Sequence, residues 1–386
     1  MYEIRKDKPF YYSLRLLKML RFYPQSYDGD YKKRFFVSFV IWNIIFGVPW
    51  ITLISLHLAV NLIKKAEVDL TEDIGDIFGD VGAMLCCIFM SVHFEKWSLM
   101  FQKLSDFKNF GKPPQYEKAQ RTGNLISKVT FLYGVLGITA YVGISLLDSK
   151  RCHRMNAEKN LHEVCGTLSP AWWPNGDQIG FWAHTFLLTM QIVSGMIYLT
   201  SSFVLNTIPL EGYGLIISMI HHLKEQIIEI MEIENENEQE KRIKKMISYH
   251  QYIIQLSEDL NAICKVTIGH VYLIAALVIG CLGNQLLHQS TPKALAFIIA
   301  YSVAMFYSCH AGQNISDESM SIGDAVYNSN WYEAKPKIRK YLVLMILRSQ
   351  KPIKVDALPL GTADYPFYLM MLKTSYTYLT LLNETV

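Results

Sequence analysis

Four groups of residues in this 386-residue chain have types and spacings that could do chemistry. Near the C-terminus Ser375, Thr377, Thr380 and Asn383 are interleaved with Leu379, Leu381 and Leu382, and Glu384 follows. Small polar side chains mixed with an apolar constriction are what a helix lining an ion pore requires, and a carboxylate at the mouth favours cations. Asp73, Asp76 and Asp80 share a helical face at the N-terminal end of an apolar stretch, where carboxylates oppose the positive end of the helix dipole. That placement suits capping and also coupling to a ligand. Lys373 interrupts an otherwise apolar run, and a lysine facing lipid is costly, so it should face a vestibule, a partner or water. Cys152 and Cys165 share one polar loop, and both a disulfide and two free thiols fit the pair. Enzyme chemistry has little support. The 11 histidines are scattered, and His221-His222 lacks acidic partners at metal spacing. No Gly-rich phosphate loop is present. The reading is of a chain with no catalytic residues, no metal and no cofactor.

The elements that position these residues follow from the distribution of charge. Only 18% of residues are charged, against about 25% in an ordinary soluble protein. Net charge is +3, which argues against a nucleic-acid binder, and 51% hydrophobic content excludes disorder. A bilayer core takes roughly 20 apolar residues as a helix. Phe35–Ile63, Val129–Leu147, Gln178–Leu210, Val266–Pro292 and Ala294–Ser316 hold no charged residue over 29, 19, 33, 27 and 23 positions. Ile77–Phe94 is apolar apart from Asp80, and Tyr365–Asn383 apart from Lys373. These windows predict an all-α membrane protein with seven transmembrane helices. Met1–Arg34 has no signal-peptide core, so the first span is expected to act as its own insertion signal.

Loop charges orient the bundle. With seven spans, the segments on the N-terminal side carry 29 Lys and Arg, and those on the other side carry seven. This predicts a cytosolic N-terminus and an extracellular C-terminus. G-protein-coupled receptors have the opposite orientation, and the chain has neither Asp-Arg-Tyr after the third span nor Asn-Pro-x-x-Tyr in the last.

The organisation is read as a cytosolic N-terminal segment 1–34, six spans over 35–316, a cytosolic anchor segment 317–363, and a seventh helix with the extracellular C-terminus over 364–386. Within the second region, residues 211–265 read as a cytosolic helical hairpin with a polar turn over Glu232–Lys245. In the anchor, Ile338, Tyr341, Leu342, Leu344, Met345 and Leu347 form an apolar stripe on a basic helix, which reads either as an interfacial helix on anionic lipid or, the favoured reading, as packing against that hairpin. A cytosolic helical anchor region of this kind suits subunit assembly. Trp172, Trp173 and Trp182 suit the outer interface.

One stretch carries a family pattern. Residues 321–331 read Ser-Ile-Gly-Asp-Ala-Val-Tyr-Asn-Ser-Asn-Trp, followed by Arg339-Lys340 and Ile346-Leu347-Arg348-Ser349-Gln350-Lys351-Pro352. The chain then ends through Leu372-Lys373-Thr374-Ser375-Tyr376-Thr377-Tyr378-Leu379-Thr380-Leu381-Leu382. This resembles the C-terminal signature of insect odorant receptors, most strongly over the last 70 or so residues. Inverted topology and length extend the likeness to the whole chain.

The resemblance implies a ligand-gated, non-selective cation channel in the plasma membrane of olfactory neuron dendrites. Four subunits surround one pore, and a tuning subunit assembles with a shared co-receptor as a hetero-tetramer, with no G protein required. The short second cytosolic loop here resembles a tuning subunit. The resemblance also implies that Thr377, Thr380, Leu381, Asn383 and Glu384 line the pore, with Leu381 at the gate. It places an odorant pocket in the outer half, between the second, third, fourth and sixth spans. The matching depths hold Met84, Leu85 and Ile88; Tyr133, Gly137 and Tyr141; Phe186, Thr189 and Met190; and Phe297, Tyr301 and Met305. Such a pocket fits a volatile, apolar or weakly polar odorant. Acidic residues are expected only at its rim, which argues against a charged ligand. Two other readings are a multi-span transporter, for which no internal repeat is found, and a gustatory-type receptor channel. Gustatory receptors share the Thr-Tyr of Thr377-Tyr378 but continue to Gln-Phe, where this chain has Asn383-Glu384.

Overall fold

Apolar stretches in lipid must close their backbone hydrogen bonds internally, and a helix does so within one segment. The computed structural model describes residues 2–24, 31–64, 70–159, 161–174, 179–289 and 292–385. A short helix α1 (Tyr11–Met19) precedes a 33-residue helix, Tyr31–Ile63. That helix consists of α2 (Tyr31–Trp42), a π-turn (Asn43–Gly47) and α3 (Val48–Ile63). Pro49 lacks the N–H that would continue the α-helical ladder, and the wider turn sits just before it. Tyr198 fills the opening, its hydroxyl donating to Asn43 Oδ1 at 3.0 Å.

Next come α4 (Thr71–Val92), α5 (Phe94–Leu104), α6 (Tyr116–Lys159), α7 (Phe181–Met231), α8 (Glu236–Gln289) and α9 (Pro292–Tyr327). The chain ends with α10 (Pro336–Ser349), a two-stranded antiparallel pair β1 (Asp356–Ala357) and β2 (Gly361–Thr362), and α11 (Tyr365–Thr385). Among the described residues, Tyr31–Ile63, α4, α6, α7 and α8 are long and apolar enough to cross a bilayer. Helices α9 and α11 lie along α8 and bring the crossing helices to seven. Several helices far exceed a bilayer. At about 1.5 Å per residue, the 51 residues of α7 extend about 77 Å. One end of the bundle, called here the loop end, carries the segment 161–174. The opposite end, the anchor end, carries α1, α5, α10 and the α7–α8 turn.

At the anchor end α7 and α8 form the expected hairpin, but the turn covers only Glu232–Asn235. The rest of the predicted turn is helical. Asn235 Oδ1 accepts from the N–H groups of Asn237 and Glu238, at 3.1 and 3.2 Å, and so caps α8. Glu238–Arg242 and Glu240–Lys244 then pair one turn apart. Lys335 and Lys337 reach from α10 to Glu236 and Glu240. Helix α10 buries Ile338, Leu342 and Met345, mostly against α9, with a smaller contact to α8. Val343, Leu344 and Leu347 remain exposed.

The strand pair is wedged between α8, α9 and α11 by two glycines. A Cβ on Gly269 would lie 1.9 Å from the carbonyl oxygen of Leu358, and one on Gly312 would lie 1.9 Å from that of Ala363. The Leu358 N–H donates to Lys265 O at 3.0 Å, and Asn261 brackets Asp356, accepting from its N–H and donating to its carboxylate.

At the loop end, Cys152 and Cys165 are joined by a disulfide. Asn156 donates to Glu163 O at 2.8 Å, and Glu163 bridges to Trp172. The segment 161–174 thus folds back over the bundle.

Two outcomes follow. Gly269→Ala and Gly312→Ala each force a backbone shift, with a cost of about 1–3 kcal/mol typical of overpacking. Their melting temperatures in detergent should fall relative to Gly137→Ala, where a Cβ meets nothing within 4 Å. His250, on the hairpin, is held neutral: burial, with the Arg348 guanidinium beside it, pushes its pKa down to about 4. The unfolded chain takes up a proton below about 6.5 that the folded chain refuses. Stability should therefore fall as pH drops from 7 to 5, and His250→Gln should flatten that dependence in a melting series.

Candidate functional site

The site begins with the spacing on α4. Glu72, Gly75, Asp76, Gly79 and Asp80 recur at three- and four-residue intervals, so they form one stripe. This stripe is one wall of a cavity within the bundle. Helix α8 supplies Val278, Leu282 and Gln285, and α9 supplies Ala294, Phe297 and Tyr301. Helix α6 adds Ile138 and Tyr141, and Trp50 and Leu199 come from α3 and α7. Leu168 and Ser169 of the 161–174 segment close it from the loop end.

Glycine makes the room. A Cβ on Gly79 would lie 3.5 Å from Tyr301 Oη, so any larger side chain would enter the cavity. Gln191 fastens the part of the cover that lines the cavity. Gln191 Oε1 accepts from the N–H groups of Leu168 and Ser169 at 2.8 and 3.3 Å, and its Nε2 donates to Ser169 O at 3.0 Å. His184 Nε2 lies 2.9 Å from Cys165 O, beside the disulfide.

The electrostatics of the wall are one-sided. Glu72, Asp76 and Asp80 all line it, and among its described residues there is no Lys, Arg or His. The expectation that acids lie only at the rim is corrected: the Glu72–Asp76–Asp80 spacing of four turns all three toward the cavity. Glu72 accepts from Tyr141 Oη at 3.1 Å and from Gln285 Nε2 at 3.0 Å. Asp73 is one residue, or 100°, round the helix. It faces α3 and pairs with His57 Nδ1 at 2.5 Å. The three aspartates therefore do not act as one face. Asp80 is 5% exposed, and its Oδ2 has no hydrogen-bond partner among the described residues.

Of the pocket residues expected from the sequence, Tyr141, Phe297 and Tyr301 meet at this cavity, with Tyr141 and Phe297 edge to face at 5.3 Å. The others lie elsewhere. Met84 packs beside Gly47 and Tyr198, Ile88 is half-buried in the main core, and Leu85 is exposed. Met305 is buried deeper along α9, where its carbonyl accepts from Tyr272. Tyr133 is half exposed against Phe203, Gly137 opens outward, and Phe186 is 64% exposed. Thr189 is exposed with its hydroxyl on Thr185 O, and Met190 is half-buried outside the lining.

The difference between the expected set and this lining is one of rotation. On α6 the inward residues are Gly134, Ile138 and Tyr141, and on α7 they are Leu187, Gln191 and Ser194. Tyr133, Gly137, Phe186 and Met190 are each one position, about 100°, from an inward neighbour, and Thr189 is two positions from both Leu187 and Gln191. Glu72, Asp76, Asp80 and Gln285 were missed as lining residues. Acids recurring every four residues at the head of a span were the available signal, since an intramembrane acid is a functional candidate by default.

The candidate pore helix α11 has two faces. Met371 and Ser375 are buried, Tyr378 lies against Gly280, and Leu379 lies against Gly283. On the other side Lys373, Thr377 and Leu381 line up four residues apart and are exposed, Leu381 by 56%. Asn383 is also exposed and Thr380 half-buried, while the side chain of Glu384 lies outside the described residues. The Thr377 and Thr380 hydroxyls donate to Lys373 O and Thr377 O, so their oxygen lone pairs point outward as acceptors.

A seven-helix all-α membrane bundle with an internal cavity and a short final helix defines the class. The comparisons make it particular. The profile of the 7tm odorant receptor family matches residues 77–376. The chain is 31% identical over 152 residues to odorant receptor Or2 of Anopheles gambiae, covering 37% of this chain and 39% of that one. It is 30% identical over 146 residues to odorant receptor 22c of Drosophila melanogaster, covering 37% and 36%. The matched stretches thus span under half the length of these curated relatives. The fold matches that of the olfactory receptor OR5 from Machilis hrabei, solved in complex with eugenol, with a TM-score of 0.76 at 13% identity over 97% of this chain and 98% of that one. The chain belongs to the insect odorant receptor family, a family of membrane-spanning receptors rather than enzymes.

Gln191→Leu strands the Leu168 and Ser169 N–H groups of the cover, while Ser169 O keeps the Thr167 hydroxyl. At about 1–3 kcal/mol for a buried group left unpaired, the melting temperature should drop and proteolytic nicking within 161–174 should accelerate.

Proposed function

We propose that the chain is the odorant-binding tuning subunit of a heteromeric, ligand-gated, non-selective cation channel. It works with a co-receptor subunit as a hetero-tetramer in the plasma membrane of olfactory neuron dendrites. Its N-terminus and anchor end are cytosolic, and its loop end and C-terminus are extracellular. The 29-to-seven split of Lys and Arg supports this orientation, and a disulfide in the 161–174 cover suits the oxidising side.

The observation that carries the proposal is the double role of α8. Val278, Leu282 and Gln285 line the cavity on one face. Gly280 and Gly283, on the opposite face, receive Tyr378 and Leu379 of α11. A ligand that shifts α8 therefore pushes directly on the helix whose other face carries Thr377 and Leu381. That exposed stripe suits a pore shared with neighbouring subunits, with Leu381 as the apolar constriction and Thr377, Thr380 and Asn383 as polar lining. The Glu384 position at the mouth would favour cations. Odorant binding is assigned to the cavity bounded by Tyr141, Phe297 and Tyr301, and gating to the α8–α11 contact.

Co-expression with a co-receptor and current recording against an odorant panel tests this. Currents should require both subunits. Leu381→Ala should raise basal leak or shift gating, and Gly283→Leu should uncouple agonist from current while leaving surface expression intact. Normal currents from both variants would sink the assignment of α11, and currents without a partner would replace the heteromer with a homomeric channel.

A further inference from the structure

The cavity wall has a chemical bias that an apolar odorant would leave unanswered. Burying an acid is costly unless an opposite charge or a set of donors answers it. Glu72 has two donors, Tyr141 and Gln285. Asp73 has His57. Asp80 lies two turns along the stripe, is 5% exposed, and its Oδ2 has no hydrogen-bond partner among the described residues. Asp76 lies between them on the same wall and is in electrostatic reach of Asp80. Three carboxylates thus share this wall, and of them the deeply buried Asp80 presents an Oδ2 with no hydrogen-bond partner among the described residues.

Opposite the acids the wall is aromatic. Tyr301 and Tyr141 are both in electrostatic reach of Asp76 and Asp80, and Phe297 stands edge-on to Tyr141. Aromatic faces attract a cation through their quadrupole, and more strongly once it is desolvated. Beyond them Ile138, Leu199 and Leu282 offer only hydrocarbon. A metal ion would find no use for that apolar part. An ester or ketone would aim lone pairs at carboxylate lone pairs. An alcohol could donate one hydrogen bond but brings no charge.

We propose that the cavity takes a protonated organic amine, its ammonium group held by Asp80 with Asp76 alongside, its cation enclosed by Tyr141, Phe297 and Tyr301, and its carbon tail on the aliphatic wall. The inference rests on the reading that this cavity receives the activating ligand. An alkylamine resembles a lysine side chain, with a pKa of about 10.4, so it arrives protonated at neutral pH. The Asp80 carboxylate is then the counter-ion, and the amine N–H groups donate to the Oδ2 that has no donor among the described residues.

The test compares hexylamine, hexanol and hexyl acetate, which share one tail. Two readouts are used: current in cells expressing the full chain with a co-receptor, and melting temperature of the purified full chain in detergent. Hexylamine should act at a concentration at least tenfold below hexanol, and Asp80→Asn should erase that advantage. Phe297→Leu should weaken the amine more than the alcohol, and it decides the matter if the Asp80 variant fails to fold. Equal or better potency of hexanol or hexyl acetate on the native chain overturns the inference and leaves the channel reading standing. An unchanged amine-to-alcohol ratio in both variants also overturns it. Absence of current with every ligand overturns the channel reading instead. The inference then stands if hexylamine raises the melting temperature in an Asp80-dependent way, and falls if it does not. Stabilisation by sodium chloride but not by hexylamine or choline chloride would assign the acids to an inorganic cation and overturn the proposal.

Discussion

The close approach of α4 and α8 is the contact on which the rest of the molecule depends. A Cβ on Gly82 would lie 2.4 Å from Ile274, and one on Gly75 would lie 3.3 Å from the Cβ of Cys281. Small residues let two backbones meet in a solvent where the hydrophobic effect cannot drive helices together. With that side of α4 pressed to α8, the adjoining stripe of Glu72, Asp76, Gly79 and Asp80 must turn toward α6 and α9. A cavity results because Gly79 brings no side chain to fill it. On its far side α8 uses the same device, and Gly280 and Gly283 seat α11. One helix therefore joins the cavity to the final helix through two glycine-lined faces.

Two clusters of buried polar groups away from the cavity fasten helices together. At the anchor end Glu211 accepts from the hydroxyls of Ser13 and Ser127, and Ser127 also meets Thr207. This fastens α1 to α6 and α7. Gly123 lies against the Glu211 side chain and permits the approach. At the loop end His57, Asn61 and Asp73 join α3 to α4. A buried polar group left without such partners costs far more than the net gain of a satisfied one. By that asymmetry the open Oδ2 of Asp80 on the cavity wall calls for a donor.

The helices were legible because a bilayer imposes a length and a polarity that a charge count detects. The hairpin was legible too, but the extent of its turn was not. A run of Glu and Lys residues reads equally as solvated turn or as exposed helix, and only Asn235 capping α8 and the reach of Lys335 and Lys337 decide it. The pocket was legible in depth and not in rotation. Tyr133 and Phe186 have the right height and the wrong azimuth, since α6 and α7 are long helices whose polarity hardly varies around the axis inside lipid. For α6, only 11% of the most apolar window is buried, so apolar residues occupy its outward faces as well as its inward one.

By itself the sequence determined the number and order of the crossing helices, the family signature near the C-terminus and the asymmetry of positive charge, because each is a property of composition along one dimension. Only the tertiary structure decided which side of each helix looks inward. It separated Asp73 from Asp76 and Asp80, brought Tyr141, Phe297 and Tyr301 together from two distant helices, and placed a cover held by Gln191 over them. The physical reason is that successive helical residues point 100° apart, and their inward direction is set by where neighbouring backbones can approach. That depends on glycine contacts between segments far apart in the chain, such as Gly75 with Cys281.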